Sequence, residues 1–388
     1  MKWNRKVAIV GIGRTVAASK RNDVNQNEMI HEAVTQALKD AGLSYKDIDM
    51  HLMTDMELFQ GDENSDMWQV DSTGGQLKPS IRMTTGGTTG GMVINSATYY
   101  IASGMADIVI AVGFQKHDEG NATTGLSSLT DPLWEGKWNS GFSGALAQNY
   151  LNRYGQEVEM TAAQVRAQIS EGASRNPYAH LRRRVTPEEV LASPILNYPQ
   201  RMLHICPQSN AACAIILASE EKARQISNKP VWIKDFTVSH NTGWVSGEIH
   251  KIGQGTTWFD SIGRLYERNG ITNPREQIDM AELYNPTVWN TMDQILAVLQ
   301  IEMPELKKML DNGDIAYDGA FPICPSGGVL CTNAIGCAAM LRTAEAALQI
   351  RGDAGEYQAH KEINTALATS FGGNSWYITQ LLTKNGDF

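Results

Sequence analysis

The stretch Arg82-Met-Thr-Thr-Gly86-Gly87-Thr-Thr-Gly90-Gly91 constrains the fold of this chain more than any other. An apolar run follows from Met92 to Gly104, and then a continuous apolar segment, Asp107-Ile-Val-Ile-Ala-Val-Gly113. Glycines this dense, between a polar turn and a buried helix, let backbone N–H groups approach a ligand closely. The order of turn, buried helix and buried strand is that of a nucleophile elbow. There the reacting atom sits at a helix N-terminus, whose dipole and free N–H groups stabilise negative charge. This turn contains no cysteine.

At 388 residues the chain exceeds one small core and suits two fused α/β halves. An apolar fraction of 42% with 19% charged residues describes a packed globular protein. A net charge of −9 argues against nucleic acid as a partner, because phosphate contact needs a basic surface. The basic cluster Arg182-Arg183-Arg184 fits either a phosphorylated small molecule or a solvated loop. No apolar run reaches the roughly 18 residues that span a bilayer, so a cytoplasmic protein without membrane contact is expected. The five cysteines (206, 213, 324, 331 and 337) form no Cys-x-x-Cys pair, which argues against structural zinc and disulfides. Cys206 and Cys213 read as small buried apolar residues, and Cys337 as a helical core position.

Along the chain, Lys6 to Ile12 reads as a buried strand. Gln26 to Gly42 reads as a helix with Met29, Ile30, Ala33, Val34, Ala37 and Leu38 on one face and Gly42 as its C-cap. Asp47 to Thr54 returns as a strand. Gly11-Ile-Gly13 lacks the third glycine of a dinucleotide fingerprint. From about 115 to 160, glycine, serine, asparagine and tryptophan dominate, which predicts an irregular lid or binding loop. A helix begins at Met160, and Thr186-Pro-Glu-Glu189 signals another, with threonine as N-cap. Asn210 to Ala218 is a buried strand. The second half repeats the theme: strands at 231–238, 280–283, 366–370 and 376–382, and helices at 258–269, 288–299 and about 335–351. A glycine-rich turn, Cys324-Pro-Ser-Gly327-Gly328, precedes the last helix. The two βα halves suggest a fold-level duplication with no residue repeat.

In this order the motifs resemble the thiolase superfamily, most closely its sterol-carrier-protein-type members. The residues that carry the likeness are the elbow with Ile101-Ala-Ser-Gly104-Met-Ala-Asp107, Asn176-Pro-Tyr-Ala179 through Glu189, Asp279-Met-Ala-Glu282-Leu-Tyr284-Asn285, Pro325-Ser-Gly-Gly328, and Phe371-Gly-Gly373. The resemblance spans almost the whole chain. It implies an α/β thiolase fold of two pseudo-repeated halves in five αβαβα layers, divided here as 1–228, with an insertion at about 115–200, and 229–388. It also implies a homodimer and an acyl-CoA substrate, with coenzyme A as substrate or product and no metal in this chain.

The reactive groups carry over less well. The resemblance places the nucleophilic cysteine of thiolases at Gly87, a catalytic histidine at Asn333, and a second cysteine or histidine at Ser370. What it retains is an oxyanion site of backbone N–H groups at Gly87 and Gly372, since backbone donors survive side-chain loss. Tyr284 stands where the family places a substrate-facing histidine or asparagine. It is either a proton donor, or base once ionised, or a packed strand-end residue. Asn285 either bonds a substrate carbonyl or water, or begins the turn before Pro286. Cys324 and Cys331 flank the double glycine as candidate displaced nucleophiles. His240 and Trp244-Val-Ser246-Gly247 fall in the family's CoA-contacting loop, and Arg182 and Arg183 are candidates for the CoA phosphates.

Three functions follow from the likeness. The first is thiolase-type cleavage or formation of the C–C bond of a β-oxoacyl-CoA, with CoA attacking the ketone directly in a ternary complex. The large subunit of benzoylsuccinyl-CoA thiolase, which pairs with a zinc-ribbon/OB-fold small subunit, is similar in length and lid. That similarity makes an aromatic acyl group a candidate and places any zinc in the partner. The second is a thiolase-like retro-aldolase using Tyr284. The third is a silent acyl-CoA-binding subunit.

Overall fold

The computed structural model describes residues 4–61, 64–119, 138–240, 256–372 and 376–387. Eleven strands are assigned: β1 Val7–Arg14, β2 Met50–Thr54, β3 Ser80–Arg82, β4 Ile108–Gln115, β5 Ile195–Asn197, β6 Gln200–Arg201, β7 Ala211–Ser219, β8 Val231–His240, β9 Met280–Glu282, β10 Thr365–Gly372 and β11 Trp376–Thr383. Nine of them form one sheet in the order β3-β2-β4-β7-β1-β8-β11-β10-β9. β5 and β6 pair as a separate hairpin. The five strands from β3 to β1 come from the first half of the chain and the other four from the second. Within the sheet the halves meet where Ala8 and Ile9 of β1 oppose Trp232 and Val231 of β8.

Continuous apolar runs bury both faces of β1, β2, β4 and β7. The helix Gln26–Ala41 covers one side of the N-terminal half, packing Met29, Ile30, Ala33 and Ala37 against β1, β4 and β7. Its start is a capping box, in which Asn25 accepts from the Glu28 N–H, and it ends at Gly42 in the left-handed region. The elbow helix Thr89–Ala102 and the core helix Ala338–Arg351 lie between the two halves of the sheet, packing Val93, Ile94, Ala97, Met340 and Ala344 in one core. On the far side of the C-terminal half, helices Val158–Arg175, Thr256–Asn269 and Val288–Leu299 share a second large core around Trp258, Trp289 and Leu283. The result is five layers in the order helix, sheet, helix, sheet, helix. Both central helices are buried on most sides; the elbow helix reads as largely apolar, while the core helix buries Arg342, Thr343, Glu345 and Gln349 among its apolar residues.

Two expectations change. The stretch 115–160 is not irregular throughout: Trp138–Tyr154 is helical, and a glycine- and asparagine-rich composition hid it. Cys337 is buried as expected, but as the N-cap of the core helix rather than within it. Among the described residues, no helix is long and apolar enough to cross a membrane.

Three buried histidines give the fold a pH dependence. Burial lowers His51 and His117 to about 4 and His204 to about 3. Their ordinary value is near ~6.5, so between there and pH ~4 the unfolded chain binds protons that the folded chain refuses. The contribution is full above pH ~6.5 and is lost as pH falls, at about 1.4 kcal/mol per pH unit for each histidine. A urea-unfolding series should show the midpoint falling through this window, with a shallower fall in His51→Gln. A variant slope equal to the parent's would exclude His51 as a contributor.

Candidate active site

The elbow turn ends at Gly86, with φ of 64°, and the helix begins at Thr89. Thr88 Oγ1 donates to the Thr85 carbonyl (2.6 Å) and the Thr85 N–H to Thr89 Oγ1 (2.6 Å), which fixes the turn. The chain end of β10 closes over it. A Cβ added at Gly87 would collide with the Phe371 carbonyl oxygen and stand 3.1 Å from the Tyr284 hydroxyl. A Cβ added at Gly372 would lie 2.9 Å from the Gly87 nitrogen and 2.7 Å from the Thr88 nitrogen. Two backbone nitrogens at the start of a helix therefore converge on the space that Gly372 leaves open. The Tyr284 hydroxyl borders the space that a side chain at 87 would need.

Tyr284 follows β9, which runs parallel to β10 at the sheet edge. Its backbone is held on both sides: the N–H donates to Thr369 Oγ1 (2.8 Å), and Gln294 Nε2 donates to the carbonyl (2.7 Å). Thr369 in turn donates to Gln294 Oε1 (2.6 Å), closing a ring. Tyr284 is buried, and burial pushes its phenol far above the ordinary value, with Cys206 and Cys337 adding to the rise. The group is a neutral donor at physiological pH, not a phenolate.

Asn285 lies over the double-glycine turn, its Oδ1 accepting from the N–H groups of Val329 (2.7 Å) and Leu330 (3.4 Å). Gly328 must lack a side chain there, because a Cβ would meet the Asn285 amide. Asn285 Nδ2 is buried with no hydrogen-bond partner. Below the turn, Glu282 accepts from the Ser326 N–H (3.1 Å) and Oγ (2.8 Å) and pairs with Arg342 of the core helix. Both side chains of that ion pair are almost wholly buried.

Asn333 exchanges two bonds with Ser209: its N–H donates to Ser209 Oγ, and its carbonyl accepts from the Ser209 N–H, both at 3.0 Å. Its Nδ2 donates to Cys206 Sγ (3.2 Å), and its Oδ1 is buried without a partner. The Cys206 N–H donates to the Pro286 carbonyl (2.9 Å), which sets the thiol beside the Tyr284-Asn285 turn. Cys206 and Phe371 pack against the cluster of Tyr284, Val329, Ala338 and Ala339.

The structure thus gathers Gly87, Gly372, Tyr284, Asn285 and Asn333 around one centre, and adds Thr88 and Cys206. Cys206 is half-buried in a loop, not a strand residue like Cys213. Its place in the polar run His204-Ile-Cys-Pro-Gln-Ser209, just ahead of β7, is the signal that could have marked it. Ser370 stands apart: its hydroxyl presses on Gly91 in the elbow helix. Cys324 is fully buried and bonded by the Leu283 N–H (3.2 Å), and burial raises its thiol strongly. Cys331 is fully buried and accepts from the Arg166 guanidinium (3.1 Å). Neither thiol belongs to the Tyr284 cluster.

His240 is exposed and packs on Trp376 with ring centroids 3.9 Å apart and the rings tilted by 60°. Through the pairs His240–Trp376 and Trp376–Gly372 it sits two strands from Gly372 at the same end of the sheet. Trp244, Ser246 and Gly247 lie outside the described residues. Arg182 and Arg183 are exposed, and Arg183 pairs with Glu189. The preceding Leu181 N–H donates to the Cys331 carbonyl (3.0 Å), so this basic segment runs alongside the turn that leads to Asn333. Among the described residues, no group of three or more His, Cys, Asp or Glu could hold a metal ion.

Residues 256–383 match the family model "Thiolase C-terminal domain-like". An acetyl-CoA acetyltransferase of Methanothermobacter thermautotrophicus is 28% identical over 361 residues, 91% of this chain and 93% of that protein. Benzoylsuccinyl-CoA thiolase subunit BbsB of Thauera aromatica is 25% identical over 388 residues, 96% of each. The fold of the Ltp2-ChsH2(DUF35) aldolase superposes with a TM-score of 0.82 at 22% identity, covering 98% of both chains. Over nearly its whole length the chain is similar to proteins of the thiolase superfamily, sterol-carrier-protein-type members among them, and its C-terminal third matches that family's C-terminal model. As a thiolase-like protein it shares the superfamily's α/β architecture and its kinship with acyl-CoA enzymes, while its elbow carries glycine at 87.

Proposed function

We propose that this protein cleaves or forms the C–C bond of a β-oxoacyl-CoA by direct attack of CoA on the ketone, without an acyl-enzyme at the elbow. The observation that carries this is the closed space at Gly87, bordered by the Phe371 carbonyl and the Tyr284 hydroxyl. In this reading the thioester oxygen lies against the Gly87 and Thr88 N–H groups at the helix N-terminus, where the developing enolate is stabilised. Tyr284 donates to the oxygen of the ketone under attack. Asn285 Nδ2 and Asn333 Oδ1, both unpaired, offer one donor and one acceptor to the acyl chain or a held water. Arg182, Arg183 and His240, with Trp244, Ser246 and Gly247, are assigned to CoA.

A retro-aldol reading has a specific point in its favour, the fold likeness to an aldolase complex. Cleavage of a β-hydroxyacyl-CoA, however, needs a base at the hydroxyl. A buried neutral phenol suits the polarising of a ketone better than the removal of a proton. The kinship with BbsB, one subunit of a thiolase, supports an aromatic acyl group such as that of 2-benzoylsuccinyl-CoA. It also supports a small zinc-ribbon/OB-fold partner, as does the aldolase complex with a second named component. A homodimer through the three-residue edge strand β3 is supported by exposed Ile81 and by Leu77, Trp68 and Met67 nearby in the sequence. A mass of 42.6 kDa in solution would oppose it.

Kinetics with paired acyl-CoAs, in the presence and absence of the partner, test the central claim. Sequential initial-rate patterns and no acyl-protein by mass spectrometry are expected. Tyr284→Phe should lower kcat/KM by about 10²–10³, the usual effect of losing one oxyanion donor. Ping-pong kinetics, or a Tyr284→Phe variant of parental activity, would overturn the reading. CoA binding with no reaction at all would identify a silent subunit.

A further inference from the structure

We propose that Cys206 is a catalytic residue whose thiol carries the proton that moves between the CoA thiol and the α-carbon of the substrate. This rests on the C–C cleavage reading above, and supplies the proton route that the reading lacks. Direct attack must take a proton from the CoA sulfur and return one to the enolate carbon. Among the groups gathered at the elbow, two are backbone N–H groups and two are amides, Asn285 and Asn333, which do not exchange protons near neutral pH. Tyr284 is committed to the carbonyl oxygen. Ser370 faces Gly91, and Cys324 and Cys331 are fully buried outside the cluster.

Cys206 is placed for the task by three contacts. Its N–H is tied to the Pro286 carbonyl, its sulfur accepts from Asn333 Nδ2 at 3.2 Å, and it packs against the Tyr284 cluster. It is also the one cysteine of the five that is not fully buried. One neighbouring polar atom points to a ligand beside it: Asn333 Oδ1, on the side chain that holds the sulfur, is buried and lacks a partner. Asn285 Nδ2, set against Gly328 on the double-glycine turn, is buried and lacks one too. A buried polar atom left unmet is costly, and a bound polar chain offsets that cost.

The step balances without any further reactant. Cys206 thiolate takes the proton of the CoA thiol, and the CoA thiolate bonds to the ketone carbon. The alkoxide so formed collapses, breaking the C–C bond, and releases the enolate of the second acyl-CoA into the N–H pair. The Cys206 thiol then protonates the enolate carbon and returns to thiolate. The transfer runs between two thiols, so it needs no further acid or base. Burial pushes the Cys206 thiol up to about 11, which makes its thiolate a strong base toward the CoA thiol, and the Asn333 amide works in the opposite direction by favouring the thiolate.

Hydrogen–deuterium exchange at the α-carbon of succinyl-CoA or acetyl-CoA in D2O, followed by NMR, isolates this step from C–C chemistry. The full chain, with its partner where one is found, should exchange the α-hydrogens. Cys206→Ala should lower the exchange rate by about 10²–10⁴, the span of general acid–base catalysis, with CoA affinity by calorimetry kept within about threefold. Cys206→Ser should bind CoA equally and recover part of the exchange only at higher pH, as expected for a weaker acid. Exchange by Cys206→Ala within about threefold of the parent would overturn the role of Cys206 and leave the C–C reading standing. A parent protein that binds CoA yet exchanges nothing would overturn the C–C reading itself, and this inference with it.

Discussion

Placing a cysteine at position 87 is expected to inactivate this protein and destabilise it. The added Cβ would fall on the Phe371 carbonyl oxygen and 3.1 Å from the Tyr284 hydroxyl. The first of these is backbone in β10, paired with β11 along its length, so it cannot turn away as a flexible side chain would. Overpacking of this kind costs about 1–3 kcal/mol. The displacement it forces falls on the Gly87 and Thr88 nitrogens and on Tyr284, where about 1 Å of misplacement can cost 10²-fold in rate. Gly87→Cys and Gly87→Ala should therefore fail alike, and mass spectrometry should find no acyl group on the Gly87→Cys variant after incubation with acyl-CoA. A Gly87→Cys variant that turns over and traps an acyl-enzyme would mean that the elbow opens easily, and the direct-attack proposal would fall.

The second large effect is expected at Arg342. Arg342 and Glu282 pair in a region with almost no exposed surface, and both also bond to the Ser326 side chain. Burial raises the Glu282 carboxyl, and the Arg342 guanidinium pulls it back. Removing the cation alone leaves a buried carboxylate unpaired, which typically costs about 3–5 kcal/mol. Arg342→Met should show that loss in urea unfolding, while the double variant with Glu282→Leu should recover much of it, because no charge is then stranded. Activity should fall in both, since Ser326 leads into the Gly327-Gly328 turn on which Asn285 rests. A single variant with a parental midpoint would show that the pair does not anchor this turn.

Much of the architecture was legible in local pattern. The helix at 26–41, its Gly42 cap and the Thr186 capping box follow from spacing and cap chemistry within a few residues. The buried strands β4 and β7 announce themselves by continuous hydrophobicity, and the elbow helix between the two halves of the sheet by its largely apolar run. The helix at 138–154 did not, because its small and polar residues carry little periodicity. Cys206 was hidden for a different reason. A cysteine reads as a small hydrophobe wherever it stands, and only the Asn333 amide, far along the chain, makes its sulfur polar.

Glycine turns, caps and apolar runs act over short range. They mark out a two-half α/β protein with no cysteine at its elbow turn, and the order of its motifs resembles the thiolase superfamily. What became of the vacated place is a matter of packing. The β10 carbonyl and the Tyr284 hydroxyl reach Gly87 from segments that meet it through the layered core, and so do the pairings of Cys206 with Asn333 and of Glu282 with Arg342. Contacts between segments remote in sequence depend on how whole layers pack, and no local periodicity encodes them.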